Sequence, residues 1–88
     1  MENTPGLQFP TSFDIKIIVS NNIPTEKTKI NINEVFNKVM IANNFVSCTP
    51  SKNGTYSSYT YTILLLDRQH MDELYNELKT IEGFKMAI

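Results

Sequence analysis

The chain has 88 residues, of which 41% are hydrophobic and 19% charged, and its formal net charge is −1. A chain of this length forms one domain with one modest core. Its near-neutral charge gives nucleic acid or an anionic membrane little electrostatic attraction. The single cysteine, Cys48, excludes an internal disulfide and fits a reducing compartment.

The first eight residues, which include Pro5 and Gly6, are predicted to form a flexible tail ahead of a single domain over residues 9–88. They lack the basic start and the apolar stretch of a secretion signal. Apolar runs such as residues 63–66 are far too short to span a membrane. We therefore expect a soluble protein of the cytoplasm.

The first predicted element is a strand over residues 13–19. Apolar and polar side chains alternate along it, which is typical of a strand with one buried face. Residues 21–29 are polar and include Pro24, so they are predicted to form a loop. The apolar side of the strand carries Phe13, Ile15, Ile17 and Val19, and the other side carries Asp14, Lys16 and Ile18.

A helix is predicted next, because apolar residues recur at i, i+3, i+4, i+7 and i+8. Asn31 is its predicted N-cap, and Glu34 three residues later completes a capping box. The pair Asn43–Asn44 is the predicted stop, since asparagine tolerates the left-handed conformation. The apolar stripe consists of Ile32, Val35, Phe36, Val39 and Met40.

A β-hairpin follows the helix. Its first strand, residues 45–52, is interrupted by Pro50, which cannot donate to a ladder and so favours a sheet edge. Asn53–Gly54 is a strong signal for the turn. One side of the next strand carries Tyr59, Tyr61, Ile63 and Leu65, and the other carries Tyr56, Ser58, Thr60, Thr62 and Leu64.

The last two elements are a helix and a strand. Asp67 is the predicted N-cap of the helix, and Gly83 is its predicted C′ residue. In the final strand, Phe84, Met86 and Ile88 alternate with Lys85 and Ala87. The apolar stripe of the helix consists of Met71, Leu74, Tyr75, Leu78 and Ile81.

The predicted order of elements is therefore β-α-β-β-α-β. Right-handed crossovers and a single hairpin leave few ways to assemble this order. The prediction is an α+β ferredoxin-like sandwich, in which a four-stranded antiparallel sheet carries both helices on one face. The first and third strands are expected at its centre.

Four segments resemble the YbeD-like family of small bacterial proteins: F-P-T-S-F (9–13), S-K-N-G-T-Y-S-S-Y-T (51–60), L-Y-N-E-L (74–78) and F-K-M-A-I (84–88). The resemblance covers nearly the whole chain from Phe9 and implies a ferredoxin-like fold similar to that of ACT-type regulatory domains. Those domains bind amino acids at interfaces, while the YbeD-like family has no established activity. The resemblance thus implies a regulatory or adaptor role, by analogy of fold alone.

No constellation of residues predicts catalysis, a metal site or a cofactor. His70, the only histidine, is expected to be exposed in the first turn of the second helix, with no nucleophile or orienting partner at a recognisable spacing. Cys48 has no partner for a metal set and no neighbouring base to activate it. The acidic residues of the second helix are explained by its cap and its solvated face. We expect a protein that is not an enzyme.

The strongest candidate site is the sheet face that the helices leave open, together with the hairpin. Serine and threonine suit a solvated face, whereas large apolar side chains there indicate a contact surface for a protein partner or for self-association. The alternative is an amino-acid sensor of the ACT type with its ligand at a dimer interface. RNA binding through Tyr59 and Tyr61 is disfavoured, since both residues are predicted to face the helices. The predicted interaction surface consists of Ile18, Ser51, Lys52, Gly54, Tyr56, Ser58 and Leu64.

Overall fold

The computed structural model describes residues 8–88 and confirms the predicted order of elements. The elements are β1 (Thr11–Ser20), α1 (Thr25–Lys38), β2 (Ala42–Pro50), β3 (Tyr56–Leu65), α2 (Arg68–Leu78) and β4 (Phe84–Ala87). The strands form one antiparallel sheet in the order β2-β3-β1-β4, so the proline-bearing β2 lies at an edge as predicted. The tail predicted for residues 1–8 lies, except for Gln8, outside the described residues.

The core lies between the two helices and one face of the sheet. The period-2 alternation of β1 and β3 turns every second side chain toward the helices. At the centre of the core, the rings of Phe36 and Tyr61 pack edge to face, 5.1 Å apart. The predicted core residues Phe13, Val39 and Tyr75 are half-buried at its margin. The buried core includes Ile15, Ile17, Val19, Ile32, Val35, Tyr59, Ile63, Leu65, Leu74 and Leu78.

The first helix begins well before the predicted N-cap, so the prediction of a capping box at Asn31 and Glu34 is wrong. Pro24 stands at the N-cap with φ −56°, a value that proline fixes and a helix start accepts. The Thr28 amide donates to the Pro24 carbonyl over 3.0 Å. Thr28 is fully buried, and its hydroxyl has no hydrogen-bond partner. Because the polar Thr28 interrupts the apolar stripe, the sequence pattern did not reveal the first turns of α1.

The first helix also ends earlier than predicted. It stops at Lys38, and both residues of the predicted stop, Asn43–Asn44, already lie in β2. Met40 adopts a left-handed conformation with φ 58°. The Met40 amide donates to the Asn37 carbonyl over 3.2 Å, and the Ile41 amide donates to the Phe36 carbonyl over 2.8 Å. This is a Schellman cap. It turns Met40 outward, with 83% of its surface exposed, rather than into the predicted stripe.

We expect Met40→Gly to raise the free energy of unfolding by about 1 kcal/mol, because only glycine adopts this conformation without a Cβ penalty. The exposed side chain gives up little packing. Equilibrium denaturation measures the change. Met40→Val is the matched comparison and should lower stability, since β-branched residues resist a positive φ. A less stable glycine variant would contradict the left-handed cap.

The second helix begins as predicted and ends earlier. The Asp67 carboxylate accepts a hydrogen bond of 2.8 Å from the His70 amide, so Asp67 is the N-cap. The helix ends at Leu78, so Gly83 is not its C′ residue; it lies in the turn before β4 with φ 80°. A Cβ on Gly83 would lie 2.9 Å from a side-chain carbon of Ile23, so steric crowding as well as the positive φ favours glycine at this position.

The edge strand β2 is irregular. It spans Ala42–Pro50 rather than residues 45–52, and its pairing with β3 shifts register between Phe45 and Ser47. The Lys29 ammonium lies 4.3 Å from the centre of the Phe45 ring, so α1 reaches this edge. Within residues 8–88, neither helix is long and apolar enough to cross a membrane.

Candidate interaction surface on the open sheet face

The sheet face away from the helices carries the three apolar residues predicted for it. Ile18 pairs with Ser58, Leu64 with Ser12, and Tyr56 with Ser20, while their neighbours along the strands point into the core. Leu64 is 38% exposed, and Ile18 and Tyr56 are half-buried. No element of residues 8–88 covers this face.

Two further apolar residues, Met86 and Ile88, lie on the same face. Met86 pairs with Ile18, and a register shift places Phe84 opposite Val19 on the core side. Lys16 and Ile88 exchange backbone hydrogen bonds of 2.8 and 2.9 Å. Met86 is 44% and Ile88 59% exposed. The sequence pattern did not predict that Phe84 faces the core while Met86 and Ile88 lie on the open face. Simple alternation puts all three residues on one side, and nothing in the sequence marks the bulge.

The charges of the open face are mixed in sign. Asp14 and Lys16 are neighbours on the same side of β1. The Thr62 hydroxyl donates to the Asp14 carboxylate over 2.6 Å, which leaves the second carboxylate oxygen available. At one end of the face, the Lys85 ammonium lies 5.8 Å from the centre of the Tyr56 ring, within cation–π range. The middle of the face therefore carries one acidic and one basic side chain.

The hairpin tip uses most of its own hydrogen-bonding groups. The Gly54 amide donates to the Ser51 carbonyl over 3.0 Å, and the Ser51 amide donates to the Tyr56 carbonyl over 2.7 Å. The Asn53 side chain accepts from the Thr55 amide and from the Ser51 hydroxyl. The backbone donors of this tip are therefore largely occupied within the hairpin.

Asn21 attaches the hairpin to the end of β1. Its side-chain amide donates to the carbonyls of Gly54 and Tyr56, over 2.8 and 3.2 Å. Its side-chain oxygen accepts from the Ser57 hydroxyl, and its own backbone amide donates to the Thr55 carbonyl. Sequence reasoning placed Asn21 in a polar loop, because these partners are more than thirty residues away along the chain. The contacts hold the hairpin in one position beside the open face.

His70 is buried, so its predicted exposure is wrong. The ring Nδ1 accepts a hydrogen bond of 3.1 Å from the Leu66 amide. That bond assigns the proton to Nε2, which donates to the Val39 carbonyl over 2.8 Å. His70 precedes Leu74 and Leu78 at intervals of four, a spacing that could have predicted its burial. Nε2 joins α2 to the end of α1, and Nδ1 binds the backbone just before α2, so neither nitrogen is available as a base.

The other candidate reactive groups belong to the core side. Cys48 is half-buried on β2, opposite Tyr59. Tyr59 and Tyr61 lie under the helices as predicted, so neither ring can stack on a nucleic-acid base. Burial, followed by the neighbouring Tyr59 and Cys48, raises the pKa of Tyr61 to about 12. Residues 8–88 contain no group of three metal-ligating side chains.

A shallow groove of about 400 Å³ runs between the two helices on the opposite side of the molecule. Two ion pairs cross it: Lys27 lies 3.5 Å from Glu82, and Lys38 lies 3.2 Å from Glu77. The groove is open, and four of its five charged side chains pair with one another; the fifth is Glu34. Its remaining lining residues are Asn31, Glu34, Val35, Thr80 and Ile81.

Comparisons with known proteins agree with this fold. The model of a family described as "Protein of unknown function (DUF493)" matches residues 4–88. A UPF0250 protein from Paraburkholderia phymatum is 29% identical over 76 residues, which cover 86% of this chain and 84% of that protein. The solution structure of Protein HP0495 from H. pylori matches with a TM-score of 0.68 at 13% identity, over 97% of this chain and 88% of that chain.

A second solved structure has a similar fold. The C-terminal domain of the MgtC protein from Mycobacterium tuberculosis matches with a TM-score of 0.66 at 16% identity, over 99% of this chain and 89% of that chain. At such low identities the two structures establish the ferredoxin-like fold alone. The family match spans almost the whole chain and agrees with the segments that resemble YbeD-like proteins. The chain therefore belongs to the DUF493 family of YbeD-like, UPF0250 bacterial proteins.

Proposed function

We propose that this chain is a non-catalytic binding or regulatory domain of the cytoplasm, which recognises a protein partner with its open sheet face. One observation carries the proposal. Ile18, Leu64, Met86 and Ile88 are at least partly exposed on a face that no described element covers, while the core on the opposite face is complete without them. Apolar patches with a polar surround mark interaction sites.

The candidate nucleophiles and bases favour binding over catalysis. Both ring nitrogens of His70 are engaged: Nε2 joins α2 to the end of α1, and Nδ1 accepts from the Leu66 amide just before α2. Cys48 is half-buried at the edge of the core, and within residues 8–88 no base is placed to activate it. A protein partner, in contrast, requires only the exposed apolar and hydroxyl side chains that the open face provides.

The hairpin supports recognition as a rigid border of the open face. Because the backbone groups of Ser51 and Gly54 are engaged within the hairpin and with Asn21, they contribute rigidity rather than direct contacts. Tyr56 and Ser58 project onto the open face, and Lys52 is exposed at the tip. A partner therefore meets a surface whose shape is set before binding, which lowers the entropic cost of association.

The double variant Ile18→Lys/Leu64→Lys tests this proposal. A photoreactive amino acid placed at Ser58 should form adducts with the partner in cells, and the double variant should lose them because two charges enter the contact surface. The melting temperature should barely change. The matched control is Ile30→Lys/Leu66→Lys, which changes two exposed apolar residues away from this face. Equal adduct yields in both variants would refute recognition through the open face.

A small-molecule sensor of the ACT type is the second candidate. The observation in its favour is the groove between the helices, where lysine and glutamate side chains lie together and suit a zwitterion such as an amino acid. A thermal-shift series with amino acids would detect such a ligand. Glu34→Gln or Lys27→Gln should then remove the shift, whereas the open-face double variant should retain it. The two candidate functions thus respond to different substitutions.

A further inference from the structure

The open sheet face has a pattern of side chains that complements itself. We infer that the protein surface it recognises is the same face of a second copy of this chain. This inference rests on the proposed function and names the partner. It is carried by the order of charges along β1, the positions of the apolar residues, and the area of the sheet.

Along the strands, the open-face side chains change from apolar to acidic, then to basic, then to apolar again. Leu64 lies in the first cross-strand row, Asp14 in the second, Lys16 in the third and Ile18 in the fourth. Met86 extends the fourth row on β4. The two charged rows are adjacent, with Ile88 beside Lys16, and rows that carry apolar side chains lie on either side of them. Tyr56 lies in a fifth row, beyond Ile18.

A two-fold axis that crosses the strands between Asp14 and Lys16 matches these rows to one another. It places Asp14 of each copy opposite Lys16 of the other copy, so the same ion pair forms twice. It also places the Leu64 end of one sheet over the end of the other that carries Ile18 and Met86. Stacked sheets lie about 10 Å apart with their strands nearly aligned, so these side chains can meet. Such an isologous contact closes as a dimer.

The area of the face indicates a weak dimer. Strands of ten, nine, ten and four residues, which lie about 4.8 Å apart and rise about 3.3 Å per residue, span roughly 500 Å². Two copies would bury about 1,000 Å², which is the lower limit for a specific protein interface. Association should therefore depend on protein concentration and should weaken as salt screens the ion pairs.

Other partners suit this face less well. Nucleic acid requires a surplus of basic residues, whereas Asp14 and Lys16 balance each other at the centre. Thr60, at the middle of the face, is only 8% exposed, and its neighbours along β3, Ser58 and Thr62, carry small hydroxyl side chains. A sheet face whose middle strand carries small side chains fits a second sheet face stacked about 10 Å away better than it fits an extended peptide.

The test is the oligomeric state of the full chain, measured by sedimentation from micromolar to millimolar concentration. Wild type should show a monomer–dimer equilibrium, and Ile18→Lys should abolish it. Asp14→Lys and Lys16→Asp should each raise the dimer dissociation constant about tenfold, because each brings like charges together twice. The double variant Asp14→Lys/Lys16→Asp should restore wild-type affinity. Leu66→Lys, an exposed apolar residue off this face, is the control and should leave the equilibrium unchanged.

Two results would overturn the inference: a wild-type chain that stays monomeric throughout the range, or a dimer that is indifferent to Ile18→Lys and to the single charge reversals. Circular dichroism and melting temperatures verify that each variant is folded. A monomeric wild type whose Ser58 adducts still disappear in the Ile18→Lys/Leu64→Lys variant would refute the second copy as partner and retain the open face as a binding site. The two proposals therefore fail separately.

Discussion

Leu74→Ala is expected to lower the free energy of unfolding by about 3 kcal/mol, within the range for large-to-small changes in a core. Leu74 has no exposed surface and belongs to the cluster between α2 and the sheet. The substitution removes apolar contacts and leaves a cavity that the rigid sheet below can fill only partly. Urea denaturation, followed by circular dichroism, measures the change.

Two substitutions calibrate that result. Leu74→Met conserves volume and should cost less than about 1.5 kcal/mol. Leu66→Ala removes the same atoms from a side chain that is 57% exposed, so it should change stability very little. If the alanine changes at Leu74 and Leu66 had equal effects, α2 would not pack on the sheet as described.

His70→Ala is expected to cost about 3 kcal/mol as well, although His70 is a polar residue. The change leaves the partly buried Val39 carbonyl and Leu66 amide without their protein partners, and loss of a partner costs a buried group about 1–3 kcal/mol. It also removes a ring from the contact between α1 and α2. Chemical denaturation of the variant measures the loss.

Partial replacements separate the two hydrogen bonds of His70. His70→Asn places an oxygen near the Nδ1 position and can accept from the Leu66 amide. His70→Gln places an amide nitrogen near the Nε2 position and can donate to the Val39 carbonyl. Both variants should therefore be more stable than the alanine variant and less stable than wild type. An alanine variant as stable as wild type would show that the ring does not hold the helices together.

The sequence could predict those features that local patterns determine. The alternation of Ile15, Ile17 and Val19 is enforced by backbone geometry, and a continuous apolar face gave the correct buried side. Asn53–Gly54 marked the hairpin, since only a few residue types adopt its turn conformations. The position of both central strands followed from these elements and from the handedness of crossovers.

Features that depend on distant partners could not be predicted in this way. Thr28 occupies a core-facing helical position without being apolar, so the periodic pattern missed the start of α1. The bulge in β4 became visible only once its pairing with β1 was known, so Met86 and Ile88 were missing from the predicted surface. The role of His70 depends on a carbonyl 31 residues away along the chain.

The irregular edge of β2 has a consequence for how copies of this chain can assemble. A straight edge strand invites another strand to continue the ladder, and repetition of that contact builds fibres. Here the register shift after Phe45 disturbs the ladder, and Pro50 at the end of the strand has no amide to donate. The Lys29 ammonium over the Phe45 ring adds a charge at the same edge. Open-ended growth of a sheet from the β2 edge is thereby discouraged.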